Sequence, residues 1–287
     1  MSTSSRLWRP WSVRVVGNLL GIVFYYASAR YRNVALKNLR SVYGQEMGEV
    51  QIRALAKRVF KHFTRGAIEF FFVLSLNSKQ INELVDVSGC EHLDSALSEG
   101  NGCIVITAHY GNWELLARKL ALFGYKINVI ARDSDDPGMT GITAQIRESG
   151  GYRVFDKDRS LIGAMRALRR NEVLGILPDQ HDSQGIFVDF FSRPAATATG
   201  PATFALKSSA PLVPVFASRT ADGRYNAVVY PRIDFNPSGN IEKDTKELTS
   251  LINIAIEQAI RLQPDQWLWF HNRWKSSAPA EVNSSGQ

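Results

Sequence analysis

The sequence predicts an α/β protein with a mostly parallel central sheet flanked by helices, preceded by an N-terminal helical region. Three observations support this prediction. The 287 residues, 45% hydrophobic and 21% charged, suffice to bury one large core. From about residue 85, short apolar runs alternate with segments of helical length. Several of these apolar runs are nearly continuous, as in strands that helices cover on both faces.

The N-terminal region, residues 1–75, combines cations with aromatic side chains. The chain has a net charge of +7 and an isoelectric point near 9.5, so we expect an anionic partner. Trp8 and Trp11 lie beside arginines, and three consecutive phenylalanines occupy positions 70–72. This mixture is typical of a helical, membrane-associating region on an anionic membrane surface. Nucleic acid is the weaker alternative, because no zinc finger, RNA-binding signature or recognition helix is evident.

Residues 13–29 are the most apolar part of this region. Arg14 is their one charged residue, but Asn18 and Ser28 interrupt the run, which falls short of the ~20 residues of a spanning helix. We therefore expect an interfacial segment, peripheral or at most a single N-terminal anchor. Ordinary amphipathic helices packed on the core are the alternative. They would explain apolar residues at helical spacing, namely Leu55, Val59, Phe63 and Ala67.

Helices and strands alternate after the N-terminal region. A helix over 91–99 is predicted to end at Gly100, and the apolar run 102–107 is predicted as a strand. The next elements in order are a helix over 113–123, a strand over 126–131, helices over 140–148 and 160–170 around a strand at 153–155, and a strand over 173–177. Strands separated by helices of this length predict a parallel sheet with right-handed crossovers.

Residues 179–201 are predicted to form a long active loop. It leads into a helix with Pro201 in its first turn and with Thr199 or Gly200 as the cap. Free N–H groups at such a helix start favour an anion, although ordinary capping is the simpler alternative.

The remaining elements complete the domain division. Apolar runs on either side of Asp222-Gly223 predict a β-hairpin, and a long helix over 241–263 follows. We expect three parts: the helical region 1–75, an α/β domain over 76–275 that forms one unit with the preceding helices, and a disordered tail over 276–287.

His109 follows the strand 102–107, and Glu114 lies five residues further on. On an uninterrupted helix, such residues point about 140° apart. Gly111 and Asn112 allow the chain to turn before the helix begins, so Glu114 is expected to reach the imidazole and hold it in one tautomer. The alternative is a histidine in an ordinary loop beside a solvated glutamate.

Polar side chains follow three of the predicted strands. His109, Arg132 and Asp179 each lie just past a strand end, and ligands of parallel sheets bind at the carboxyl ends of strands. We therefore expect these side chains to share a site. The two cysteines, Cys90 and Cys103, show neither zinc spacing nor a disulfide framework, which suits a reducing compartment.

Five blocks spread along the chain form a recognisable set. They are Asn38-Leu39, His109 to Glu114, Leu177-Pro-Asp-Gln180, Phe190-Phe-Ser-Arg-Pro-Ala-Ala-Thr197, and Gln266-Trp-Leu-Trp269 with Arg273-Trp-Lys275. In this order they resemble the bacterial lipid A biosynthesis (late) acyltransferases, within the larger lysophospholipid acyltransferase superfamily. The phosphatidylinositol mannoside acyltransferases share much of the pattern.

The resemblance implies an O-acyltransferase at the cytoplasmic face of the inner membrane. Its acyl donor would be a thioester, with acyl carrier protein preferred over coenzyme A, and its acceptor a hydroxyl of a lipid A precursor or related glycolipid. No cofactor and no metal are expected. An acyl thioesterase or lipid hydrolase, or a phosphatidylinositol mannoside-type or aminolipid acyltransferase, is the alternative.

The resemblance also implies roles for individual residues. His109 would be the general base, with Glu114 as its orienting and charge-stabilising partner. Arg147 would bind phosphate or stabilise an oxyanion, and Asp179 would support the site or contact substrate. Arg132 and Arg193 are candidate contacts to phosphate or to the donor. The absence of a Gly-x-Ser-x-Gly motif fits direct transfer without a covalent enzyme intermediate.

Overall fold

Three helices form the N-terminal part of the fold. The computed structural model describes residues 10–73, 76–131, 150–156 and 160–277. In it, α1 spans Pro10–Ala27, α2 spans Ala29–Tyr43 and α3 spans Glu49–Val73. Helices α1 and α3 pack closely because glycine stands at their contact, where a Cβ on Gly21 would lie 2.6 Å from the Cα of Lys61.

A seven-stranded sheet lies at the centre of the described residues, in the order β1-β9-β8-β2-β5-β3-β4. Its neighbouring strands are parallel, except for the antiparallel pair β8 and β9. The prediction of an α/β fold with a mostly parallel sheet is therefore confirmed. The elements in chain order are α4 Ser78–Leu84, β1 Val85–Ser88, α5 Cys90–Ser98, β2 Cys103–Ile106, α6 Trp113–Leu122, β3 Ile127–Ala131, β4 Arg153–Asp156, α7 Ser160–Arg169, β5 Val173–Ile176, β6 His181–Asp189, β7 Pro194–Thr197, α8 Gly200–Ser208, β8 Leu212–Arg219, β9 Tyr225–Val229, α9 Ile241–Leu262 and a short 3-10 helix, Pro264–Gln266.

The segment 179–201 differs from its prediction. Instead of a long loop it forms the hairpin β6–β7, whose strands pair antiparallel. Gly185 permits their close approach, because a Cβ there would lie 2.3 Å from the carbonyl oxygen of Thr197.

Strand β1 is also missing from the prediction. The predicted helix over 140–148 and the end of the tail, 278–287, lie outside the described residues.

Each face of the sheet has its own apolar core, as the alternation of strand side chains requires. Cys103, Val105 and Val173 face one core, which α4, α5 and α6 cover. The intervening residues, such as Ile104 and Leu174, face a second core. Helices α2, α3 and α9 contribute to that second core, so the N-terminal helices and the sheet share buried side chains.

The helix α1 buries one side and exposes the other. Val13 and Tyr25 are buried, whereas the exposed side is apolar and carries Val15, Val16, Leu19, Leu20, Val23 and Tyr26. Within the described residues, no individual helix is both long and apolar enough to cross a membrane. The segments Ser12–Ala27 and Ala29–Tyr43 meet that test only when taken together, and they are bent by 92° at the break between them.

Candidate active site

The loop after β2 carries His109 and turns sharply before α6. Gly111 adopts a positive φ of 60°, and a Cβ there would lie 1.7 Å from the carbonyl oxygen of Ala217, so the turn requires glycine. The Asn112 side chain caps α6 by accepting a hydrogen bond from the Leu115 N–H at 3.0 Å. This local structure begins the helix at Trp113 and places Glu114 in its first turn.

Asp179 holds the imidazole of His109. The ring Nδ1 lies 2.9 Å from Asp179 Oδ1, and the backbone N–H of His109 donates to Oδ2 at the same distance. With the Nδ1 proton directed at the carboxylate, Nε2 is left as the basic nitrogen. The ring packs against Trp113 with centroids 5.1 Å apart and is 24% exposed. A base of defined tautomer is thus presented at the carboxyl edge of the sheet.

The charge state of Asp179 follows from its partners. Burial alone would raise the pKa of this carboxyl, but the charge of His109 and the hydrogen bonds from His109 and Trp267 outweigh burial, so the pKa lies below its ordinary value. The indole N–H of Trp267 donates to Oδ2 at 2.9 Å. Asp179 is therefore ionised at neutral pH, which suits a partner of a protonated imidazole.

Glu114 lies close to His109 in sequence, but the Nδ1 atom of the imidazole contacts Asp179. The expected pairing of Glu114 with His109 stays a prediction. Glu114 is buried, accepts a hydrogen bond from the Tyr152 hydroxyl and lines the same cavity as His109. Tyr152 was not found from the sequence, because no motif surrounds it.

The C-terminal block Gln266 to Trp269 contacts the loop that carries His109. The Gln266 carbonyl accepts from the Gly111 N–H at 3.0 Å, and Tyr110 forms a backbone bridge with Trp267. The Gln266 side chain bonds both the N–H and the carbonyl of Arg219, at 2.7 and 2.8 Å. The sequence block noted for its resemblance therefore has a physical role, since it fixes Asp179 and the His109 loop together.

The N-terminal helices also support this loop. His62 of α3 is buried and bonds the Gly111 carbonyl through Nε2 at 3.1 Å. Burial, together with the charge of Arg219, holds the pKa of His62 well below its ordinary value, so the ring is a neutral donor. Glu69 of α3 forms a buried ion pair with Arg219. These contacts link region 1–75 directly to the site.

Asn38 explains the early Asn-Leu block. Its side-chain amide donates to the carbonyls of Trp269 and His271 at 2.8 and 2.9 Å. His271 in turn accepts from the His181 N–H at 2.9 Å, and burial lowers the pKa of His271 to about 4, so the ring is neutral. These hydrogen bonds connect α2 to the C-terminal block, and the C-terminal block to the start of β6.

A cavity of about 660 Å³ opens at His109. This volume is within the range of sites for small ligands. Its lining is polar near the carboxyl edge of the sheet, with His109, Gln180 and Asp182, and includes Thr199 and Gly200 at the start of α8. Beneath α6 the lining is apolar, with Val105, Leu116, Leu120, Ile127, Val129 and Val173. The cavity suits a molecule with one reactive polar end and one apolar chain.

Of the three predicted arginines, Arg193 alone is among the described residues. Arg193 lies in the turn between β6 and β7, where it bonds the Ser41 hydroxyl and stacks 4.7 Å from the Trp274 ring centroid. It is absent from the described lining of the cavity, and its expected role as a contact to phosphate or to the donor stays a prediction. Arg132 and Arg147 lie outside the described residues.

A different arginine, Arg273, stabilises the β6–β7 hairpin. It is fully buried, donates to the Ala196 carbonyl at 2.7 Å and to the Thr197 hydroxyl, and lies 5.0 Å from the Phe190 ring centroid. Burial lowers its pKa to about 10. The blocks at 190–197 and 273–275 thus form one structural unit.

The sequence matches a family profile described as bacterial lipid A biosynthesis acyltransferase over residues 8–276. Over 237 residues it is 28% identical to a lipid A biosynthesis lauroyltransferase of Escherichia coli K12, covering 80% of this chain and 75% of the relative. It is 23% identical over 270 residues to a lipid A biosynthesis palmitoleoyltransferase of the same strain, covering 93% and 86%. It is 27% identical over 274 residues to a phosphatidylinositol mannoside acyltransferase of Mycolicibacterium smegmatis, covering 89% and 88%.

Proposed function

Because the chain belongs to the bacterial lipid A biosynthesis acyltransferase family, we propose that it transfers a fatty acyl chain from an acyl thioester to a hydroxyl of a lipid A precursor or related glycolipid. Family membership makes the protein an O-acyltransferase that acts on a lipid acceptor. The donor in the proposal is an acyl carrier protein thioester in preference to a coenzyme A thioester. No cofactor and no metal take part.

The proposed reaction is a direct transfer with His109 as the base. The Nε2 atom takes the proton of the acceptor hydroxyl while the oxygen attacks the thioester carbonyl carbon, forming a tetrahedral intermediate. Collapse of this intermediate breaks the C–S bond, and the imidazolium returns the proton to the leaving thiolate. The single observation that supports this role is the 2.9 Å contact between His109 Nδ1 and the buried Asp179 at the mouth of the cavity.

Two carboxylates have separate roles in the proposal. Asp179 holds the tautomer and stabilises the imidazolium from the Nδ1 side. Glu114 adds negative charge to the wall of the cavity that the substrates enter, where it stabilises the positive charge that His109 acquires. Arg132 and Arg147 remain proposed contacts to phosphate or to the oxyanion of the intermediate.

The proposed location is the cytoplasmic face of the inner membrane. The apolar exposed side of α1, with Leu19 and Val23, would lie at headgroup depth, and the net charge of +7 would favour anionic lipids. This arrangement makes the chain peripheral or anchored by its N-terminal helices alone. Lipid acceptors would then reach the cavity without leaving the membrane surface.

Mass analysis of the products tests the proposal. We expect purified protein, given acyl carrier protein thioesters and total bacterial lipid, to add one acyl chain to a glycolipid, and His109→Ala to lose this transfer while keeping the native circular dichroism. Transfer by His109→Ala would contradict the role of the base. Thioester hydrolysis without any acylated lipid would favour the thioesterase alternative, and exclusive use of coenzyme A thioesters would contradict the donor preference.

A further inference from the structure

Gly175 lies in the middle of β5 with no side chain at a buried position. It is flanked across the sheet by Val105 of β2 and Val129 of β3. Glycine weakens the interior of a strand, because it adds no packing surface and loses more conformational entropy than other residues on folding. Strand stability therefore does not explain the glycine at this position.

Neither the backbone nor the packing of the protein requires glycine at position 175. Its φ is outside the left-handed region that favours glycine, unlike that of Gly111. An added Cβ would come no closer than 3.6 Å to Val129 Cγ2 and 3.7 Å to the Asn128 carbonyl oxygen, which is ordinary van der Waals contact. The backbone would accommodate alanine without strain.

The space in front of Gly175 belongs to the cavity. Val173 and Gly175 of β5 line it from the sheet side, and Leu116 and Leu120 of α6 line it from above. His109 also lines the cavity and follows β2 just beyond the carboxyl edge of the sheet. An apolar groove thus runs from the imidazole toward the amino ends of the strands, and Gly175 lies partway along its floor.

We propose that the acyl chain of the donor passes over Gly175, and that the missing side chain at this position sets the length of chain that the enzyme accepts. This inference rests on the proposed function for the identity of the ligand. A strand glycine that its own neighbours do not require is typical of a site where a ligand approaches the backbone closely. Each methylene that can no longer be buried lowers the preference for a longer chain about four-fold.

The acyl preference of Gly175→Val tests the inference. The probes are hexanoyl, decanoyl, tetradecanoyl and hexadecanoyl acyl carrier protein, and the readout is the ratio of kcat/KM for the longest chain to that for the shortest. We expect Gly175→Val to lower this ratio at least ten-fold and Gly175→Ala to lower it by a smaller factor. The ratio is independent of the folded fraction, so loss of stability alone does not change it. An unchanged ratio in both variants would overturn the inference.

Thermal stability gives a second readout. Since alanine fits the strand, Gly175→Ala is expected to melt at or above the temperature of the unmodified protein. A lower melting temperature would mean that the fold itself requires glycine. Leu174→Ala is the matched control, because Leu174 is buried in the core on the other face; it should lower the melting temperature and leave the chain-length ratio unchanged.

Binding separates failure of the inference from failure of the proposed function. The affinities of hexyl and hexadecyl coenzyme A thioethers for the unmodified protein and for Gly175→Val require no turnover. Suppose that no acyl transfer is detected, but the preference for the hexadecyl probe is lost in Gly175→Val. The acyl chain then binds over Gly175 as inferred, and the proposed reaction is wrong. An equal preference for the hexadecyl probe in both proteins would overturn the inference that the acyl chain passes over Gly175.

Discussion

Asp179 and Glu114 are two buried carboxylates at one site, and they differ in the groups that they contact. Asp179 is 1% exposed and binds the ring and the backbone of His109 as well as the Trp267 indole. Glu114 is 7% exposed, bonds the Tyr152 hydroxyl and lines the cavity. Asp179 bonds the Nδ1 side of the histidine, whereas Glu114 belongs to the wall of the cavity. The difference shows that closeness in sequence does not determine which carboxylate orients the base.

The largest expected effect comes from Asp179→Asn. The amide presents a donor or a weaker acceptor to Nδ1, so His109 loses both its tautomer and the stabilisation of its imidazolium. By analogy with the serine protease triad, we expect kcat to fall by about 10³- to 10⁴-fold. Steady-state acyl transfer measures this loss.

Asp244→Asn is the control for Asp179→Asn. Asp244 is also a buried aspartate, but it accepts hydrogen bonds from the Ser238 N–H and hydroxyl and from the Gly239 N–H, just before α9. The control should lower stability and leave kcat unchanged. Equal losses of kcat in both variants would show that Asp179 acts on the fold rather than on His109.

The strands beside the site could be predicted because their composition leaves little choice. β2 and β5 are apolar on both faces, and only a sheet covered by helices buries such runs. β1 was missed because its four residues alternate in burial and follow α4 directly. The hairpin β6–β7 was missed because the polar residues at its start, including Asp182 and Gln184, resemble a loop.

The site was predictable only in part, for a physical reason. The rule that ligands bind at strand ends grouped His109 with Asp179, and the structure brings these two together. The choice of Glu114 as the orienting partner followed from its position in the same motif. The contact to Asp179 joins residues 70 positions apart, and the bond from Trp267 joins residues 88 apart. No local pattern encodes such contacts, because they depend on how β2, β5 and the C-terminal block pack.

Glu114→Gln tests the other side of the comparison. The amide keeps the size of the side chain and its ability to accept from Tyr152, but it removes the negative charge from the cavity. We expect kcat to fall by about 10²-fold, less than in Asp179→Asn, since one charged contact to a forming cation is lost. The measurement is steady-state kcat with the acyl thioester held at saturation. A loss larger than that of Asp179→Asn would reverse the two assignments.

Trp267→Phe alters Asp179 without removing it. Loss of the indole donor raises the pKa of the carboxyl, because one of the hydrogen bonds that lower it is gone. The pKa of Asp179 starts below its ordinary value, so the carboxyl stays ionised at neutral pH in both proteins. We expect a loss of kcat of about ten-fold or less at neutral pH, because Asp179 is held less firmly against His109.

Trp269→Phe is the matched control for Trp267→Phe. Trp269 is equally buried, but its indole donates to the Pro264 carbonyl rather than to Asp179. Both variants should lower the melting temperature, since each removes core volume and one hydrogen bond. An equal loss of kcat in both proteins would mean that general loosening of the core, and not the bond to Asp179, causes it.

The smallest expected effect is that of Tyr152→Phe, which removes the hydroxyl that donates to Glu114. If Tyr152 acts only by positioning Glu114, kcat should fall by less than about ten-fold in Tyr152→Phe. Adding Tyr152→Phe to Glu114→Gln should then lower kcat no further, because the side chain at position 114 is already neutral. A double-mutant cycle on kcat measures this coupling. If the two losses of kcat instead add in the double variant, the Tyr152 hydroxyl contacts the substrate directly. Glu114 and Tyr152 would then be two separate polar contacts in the cavity wall.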